Sequence, residues 1–188
     1  MVSSLGGLNS ARAQEATPPA LEPESTALAE GWASLQRAFT HSLVELSQRE
    51  LWADAAHWRI AVSPYTKHYR YSAEHRHVYA VSVERQRDDD WLAGAALFRN
   101  SFGQPSSYAY LGRQFNDLFD QPHLFGQVSA GLLYGYKGAY QTKVPLNFRG
   151  FSPGALVSMG WRSEGGFSVT AHLLGDAGVM FQFALDLP

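Results

Sequence analysis

The 188-residue chain has no cysteine, little charge and no long apolar run. Without cysteine there is no disulfide framework and no thiolate metal site. Without a stretch of about 20 apolar residues there is no transmembrane helix to expect. Charged residues make up only 17% of the chain and the net charge is −2, which argues against a nucleic-acid binder that works by bulk positive charge. What the chain has instead is glycine and aromatics, with 17 Gly, 5 Trp, 9 Tyr and 11 Phe. That mixture reads as many short strands joined by tight turns. The length suits one domain, with room for a flexible end.

Residues 1–25 are rich in Ala, Pro, Ser and Glu and poor in large apolar side chains, so a flexible segment is expected. Within it, Ala11-Arg12-Ala13 has the small-x-small form of a signal cleavage site. A signal-peptide remnant, and therefore an exported protein, is one reading; a plain flexible tail is the other. Over 26–50 the period becomes helical, with Leu28, Trp32, Leu35, Phe39, Leu43 and Leu46 on one stripe and Gln36, Arg37, Glu45, Gln48 and Arg49 off it. An amphipathic helix of this kind docks on a core or lies in a membrane interface.

From Leu51 the period changes to two, and residues 51–188 form the third region. Strands are expected near 55–64, 76–87, 91–101, 106–115, 123–136, 152–162, 166–174 and 177–187. Eight is an even number, and lengths near 10 suit tilted membrane-crossing strands. Asp88-Asp89-Asp90 and Ser163-Glu164-Gly165 read as tight turns, while 65–75 and 137–151 read as long loops. The expected fold is therefore all-β: an eight-stranded antiparallel up-and-down transmembrane barrel with an N-terminal amphipathic helix.

Alternation assigns the faces. One face carries Trp58, Ile60, Val62, Tyr79, Val81, Val83, Leu97, Val128, Leu132, Val157, Met159, Trp161, Val169, Phe181 and Phe183, without a charge, and belongs against lipid. Strand 106–115 fits less well, because it puts Arg113 on this face, where the side chain must sit near an interface and snorkel. The other face divides in two. Toward the tight turns it holds His57, Arg59, Glu84, Gln114, Gln127, Arg162, Thr170, Gln182 and Asp186; toward the long loops it holds Val78, Ala80, Ala96, Phe98, Tyr108, Tyr110, Leu133, Leu156, Leu174 and Met180. An apolar upper interior suits one acyl chain, unless the barrel's own side chains fill it. The long loops carry Lys67, Arg70, Arg76, Lys137, Lys143 and Arg149 against Glu74 and Asp176, the short turns Asp88, Asp89, Asp90, Asp117, Asp120 and Glu164. A basic outer rim fits phosphorylated lipid head groups; ordinary solvated loop charge is the plainer reading.

The order of parts resembles the outer-membrane lipid A palmitoyltransferases, the PagP type, over roughly residues 28–187. Ala95-Ala96-Leu97-Phe98-Arg99-Asn100-Ser101 is similar to the family's Ala-x-x-Phe-basic-Asp-Ser stretch, and Gly112 falls eleven residues after Ser101, where the family has the glycine that floors its acyl cavity. Phe151-Ser152-Pro153-Gly154-Ala155-Leu156-Val157-Ser158 looks like the family's proline-bearing strand beside a lateral opening for lipid. The departures are specific. Asn100 stands where the family has aspartate, and Trp58 is followed by Arg59 where the family has its essential histidine. Several of the prolines that open the family's wall have no counterpart here. The resemblance implies a monomeric outer-membrane enzyme of a Gram-negative bacterium. It would move a palmitoyl-type chain from phospholipid to the lipid A of lipopolysaccharide, without a cofactor or metal.

Acyl transfer needs a base for the attacking hydroxyl, donors for the oxyanion and a slot for the chain. His68 is placed as the base by its location, with Ser101 and Asn100 as hydroxyl and amide donors. Phe98, Tyr108 and Leu156 would line the slot, Gly112 would leave space at its end, and Lys67, Arg70 and Arg149 would meet head-group phosphates. Against this, Asn100-Ser101 begins an Asn-Ser-Phe-Gly stretch that is good turn chemistry by itself, and His68, His75 and His77 read equally as solvated loop histidines. The competing classes are a non-catalytic structural or lipid-binding barrel, a lipid A deacylase and a soluble lipocalin-like carrier. An uncharged aromatic outer face argues against the last.

Overall fold

A computed structural model describes residues 30–34, 36–37, 40–41, 44–45, 47–48, 52 and 56–187. The chain divides into two compact units, Met1–Glu45 and Leu46–Pro188. The 1–25 segment, with its signal-like triplet, lies outside the described residues. So do Leu28, Leu35, Phe39, Leu43 and Leu46 of the helical stripe. The described residues between 30 and 47 have helical backbone, with Trp32 exposed.

The second unit is a closed barrel of eight antiparallel strands: β1 (Ala56–His68), β2 (Ala80–Arg87), β3 (Trp91–Arg99), β4 (Pro105–Phe115), β5 (Leu124–Tyr134), β6 (Phe151–Arg162), β7 (Phe167–Leu173) and β8 (Gly178–Leu187). Each strand pairs with its sequence neighbours, and β1 closes the sheet against β8, from Trp58↔Leu187 to His68↔Gly178. Closure gives every strand a neighbour on both sides, so backbone groups are left without a ladder partner only at two local gaps. Turns 88–90, 116–123 and 163–166 lie at one end, here called the lower; segments 69–79, 100–104, 135–150 and 174–177 lie at the upper.

Two boundaries differ from the periodicity by four residues, the others by two or fewer. β1 runs on to His68, so Lys67 and His68 end a strand rather than sit in a 65–75 loop. β2 begins only at Ala80, although 76–79 has strand-like alternation. That segment stays with the third strand, through Arg99 N–H donating to the Tyr79 carbonyl (3.4 Å) and Arg76 N–H to the Ser101 carbonyl (2.8 Å). It leaves β1, whose pairing with β2 stops at Ser63↔Ala80. Pro64 follows directly and has no N–H to give. A second gap lies between β6 and β7, whose pairing spans only Val157↔Leu173 to Arg162↔Ser168. Phe151 to Leu156 therefore have a partner on the β5 side alone, and Pro153 sits in this half-paired stretch.

The outward face is apolar and exposed, including Trp58, Ile60, Val62, Val81, Leu97, Leu132, Val157, Met159 and Phe183. Outward charge on the strands is confined to within two residues of a strand end: Lys67, Arg85, Arg87, Arg99 and Arg113. Arg113 lies over the Trp91 ring (5.6 Å) and Arg85 over the Trp58 ring (5.1 Å), so aromatic faces take up the cations.

Inside, the lower half is a packed polar plug. Arg59, 2% exposed, donates from Nε and Nη2 to both oxygens of Asp186 (2.5 and 3.1 Å) and lies 3.8 Å from Glu84. Arg162 donates to Gln114 Oε1 (2.7 Å), and both guanidinium groups lie over the Phe125 ring. Leu92 and Phe125 fill the remaining space, at 0% and 2% exposure. Buried charge is tolerated here because each group meets an opposite charge and hydrogen-bond partners at once.

Candidate functional site

Above the plug the barrel is hollow. A cavity of about 390 Å³ occupies the upper interior, within the range of about 300–1,000 Å³ typical of small-molecule sites. All ten residues assigned by alternation to the upper inner face line it: Val78, Ala80, Ala96, Phe98, Tyr108, Tyr110, Leu133, Leu156, Leu174 and Met180. The barrel's own side chains therefore do not fill this region. Glycine makes the room for its two large rings. A Cβ on Gly94 would stand 2.5 Å from the Tyr110 ring, and one on Gly154 would stand 2.8 Å from that of Tyr108. The rings stack on each other (centroids 4.8 Å apart), with the Tyr108 hydroxyl on the Gly154 carbonyl and the Tyr110 hydroxyl on Glu84 (2.8 Å). Gly94→Val should displace Tyr110, break its bond to Glu84 and cost about 1–3 kcal/mol of overpacking. A urea titration checks this, and an unchanged midpoint would mean that the ring moves freely.

The cavity reaches two parts of the barrel. Upward it reaches His68, Asn100, Ser101, Tyr136 and Lys143. Sideways it reaches Pro153, Gly154 and Ala155 on the half-paired stretch of β6, facing Leu174 to Ala177. Pro153 and Ala155 point outward by alternation yet border the cavity, on the stretch of wall that lacks its second partner strand.

At the upper mouth the 69–79 segment ties the predicted site together. The His75 ring lies 4.5 Å from that of His68 and 5.7 Å from that of Phe102, and Arg76 binds the Ser101 backbone. His68, Asn100 and Ser101 thus share one rim. The Asn100 side chain is largely committed to its turn. Its Oδ1 accepts from the amides of Phe102 and Gln104 (3.0 Å each), and its Nδ2 donates to Gln104 Oε1 (3.4 Å). That is the Asx-turn chemistry of the Asn-Ser-Phe-Gly stretch, and it leaves one Nδ2 hydrogen for another acceptor. Burial pushes the Tyr136 phenol above its ordinary range, which keeps it a neutral hydrogen-bonding group at the mouth.

Other predicted site residues fall elsewhere. Gly112, expected at the cavity floor, does not line it. It pairs with Leu92 and Ser129, and a Cβ there would meet Leu92 Cδ1 at 2.9 Å and the Val128 carbonyl at 2.6 Å. Its missing side chain admits the plug's Leu92 instead. Lys67, Arg70 and Arg149 are exposed at the upper end but do not line the cavity; Arg149 lies over Phe148 (5.2 Å). The cation that does line it is Lys143, on the 3-10 turn Gly138–Lys143, with its Nζ 5.6 Å from the Phe102 ring centre.

The sequence reading also passed over Thr66 and His172, which both line the cavity. Alternation could have found His172, since Ser168, Thr170 and Leu174 fix its parity. Among the described residues no cluster of three or more His, Asp or Glu side chains is arranged to hold a metal ion. No protein-family model matches the sequence, and no curated protein matches it.

Proposed function

We propose that this chain is an outer-membrane acyltransferase that moves a palmitoyl-type chain from a phospholipid to lipid A, as a monomer and without a cofactor. The observation that carries this reading is the cavity. It is apolar along its upper walls, bounded on one side by a half-paired wall, and rimmed by His68, Asn100 and Ser101 at the end that also bears the basic segments. Membrane insertion is supported by the exposed apolar belt, whose charges stay near the strand ends. A soluble protein rarely presents a continuous apolar surface of that kind.

In this reading the donor's acyl chain enters sideways past Pro153 and lies along Phe98, Tyr108 and Leu156, which holds its ester at the mouth. His68 takes the proton of the attacking lipid A hydroxyl as the new carbon–oxygen bond forms. The Ser101 hydroxyl and the remaining Asn100 Nδ2 hydrogen donate to the oxyanion. Collapse breaks the donor's ester bond, and the departing glycerol oxygen takes the proton from His68. Lys143 at the cavity, with Lys67, Arg70 and Arg149 elsewhere at the same end, attracts the phosphates of the phospholipid and lipopolysaccharide.

Mass spectrometry of lipid A from cells with and without the gene tests this. One added palmitoyl mass is the expected result. His68→Ala and Ser101→Ala should each lower transfer about 10²-fold or more, with the barrel still folded. Full activity in both variants would remove the site assignment. A second reading, a lipid-binding barrel without catalysis, is favoured by the Asn100 oxygen's commitment to two backbone amides; it predicts no change in lipid A. Loss of an acyl group would point to a deacylase.

A further inference from the structure

The lowest cavity-lining residue on five of the strands is polar: Glu84 on β2, Tyr110 on β4, Gln127 on β5, His172 on β7 and Gln182 on β8. The next inward residue below each of them, namely Gln86, Gly112, Phe125, Thr170 and Ala184, does not line the cavity. An apolar tube therefore ends on a polar floor.

The members of that floor differ in what they still have to offer. Glu84 is saturated: it accepts from Tyr110 (2.8 Å), Gln127 (3.3 Å) and Gln86 (2.9 Å), with Arg59 3.8 Å away. His172 is not. It is 5% exposed, its Nδ1 is 2.7 Å from Ser158 Oγ, and its Nε2 is buried without a hydrogen-bond partner. Gln182 lies beside it on the floor, and its side chain interacts with the ring without a hydrogen bond of good geometry to that nitrogen. Ser158 does not line the cavity, so the Ser158–His172 pair brings an imidazole ring, and not a nucleophile, to the floor.

We propose that this cavity selects a chain whose far end carries a neutral hydroxyl, bound by His172 Nε2 beside Gln182. This rests on the reading that the cavity takes an acyl-like chain, and it names the class of chain. A methyl end on this floor would leave the ring nitrogen unsatisfied and dry. A hydroxyl both donates and accepts, so it suits either tautomer that the Ser158 contact permits. A carboxylate end is disfavoured because the Glu84 carboxylate stands on the same floor. From Asn100 at the mouth to the Glu84 level of β3 is six residues, as Gly94 pairs with Glu84. That is about 20 Å along the strand and about 15 Å of depth once strand tilt is allowed for, which is the reach of a long acyl chain.

The test is calorimetric binding to the full chain, folded in a bile-salt-type detergent whose rings are too broad for the cavity. Palmitate and its omega-hydroxy analogue are the probes. The hydroxy acid should bind tighter on the order of tenfold, one net hydrogen bond. His172→Leu should abolish or invert that preference, and His172→Gln should keep part of it, which separates lost recognition from lost folding. Equal binding of the two acids to the parent protein, or a preference that survives His172→Leu, overturns the proposal while leaving the acyl cavity intact. Binding of neither acid overturns both. A clear hydroxyl preference in a protein that leaves lipid A unchanged would sustain this inference and remove the transferase.

Discussion

Arg59→Met should destabilise the barrel by about 3–5 kcal/mol, the usual penalty for stranding a buried charge. The side chain is 2% exposed and sits between two carboxylates, bound to Asp186 at 2.5 and 3.1 Å and 3.8 Å from Glu84. The two do not suffer equally. Asp186 keeps Arg162 at 3.6 Å and His57 at 3.6 Å, while Glu84, 3% exposed, loses its guanidinium. The cost should therefore fall on Glu84, and Arg59→Met combined with Glu84→Gln should recover at least half of it. Glutamine keeps the acceptor for Tyr110 without the charge, so the double change is strongly non-additive. Urea unfolding followed by tryptophan fluorescence measures both variants, and Glu84→Gln alone, against the parent. A single variant within about 1 kcal/mol of the parent would mean that water reaches Glu84 and that the lower lumen is not the sealed plug described above.

Val157→Arg should cost about 2–4 kcal/mol in a lipid bilayer and nearly nothing in water. Val157 lies near the middle of β6, is 57% exposed and pairs with Val128 and Leu173, so no charge stands beside it. The native outward cations reach an aromatic ring or an interface because they sit at strand ends, as Arg113 does over Trp91. An arginine at Val157 would have farther to snorkel. Folding into phospholipid vesicles gives the first number. A parent chain that folds as a monomer in detergent-free buffer, with Val157→Arg neutral, would end the membrane reading and with it the lipid substrates.

These two variants probe the two sets of positions that alternation assigned most sharply. Parity about β1 put Arg59 inside and Ile60 outside, and parity about β6 put Val157 outside and Leu156 inside. Such assignments need only neighbours two residues away, because successive side chains of a strand point to opposite faces whatever the strand pairs with. The candidate site was legible in part for the same reason. Phe98, Tyr108 and Leu156 were inward by parity and they line the cavity, whereas Gly112, placed by a resemblance in spacing, lies below it against Leu92. Asn100 was open to two readings, and it took three contacts with Phe102 and Gln104 to show how much of its side chain the turn uses.

The sequence by itself determined the strand count, the two faces and the division of the lumen into a charged lower and an apolar upper half. All of these are local periodicities and compositions. Only the tertiary structure decided that β1 closes on β8, that the wall is half paired beside Pro153, and that the upper lumen is hollow. The same holds for the buried nitrogen of His172 at the floor. Each of these depends on register and ring packing between residues far apart in the chain, and no period carries that information, because the same alternation can be paired, shifted or filled in many ways.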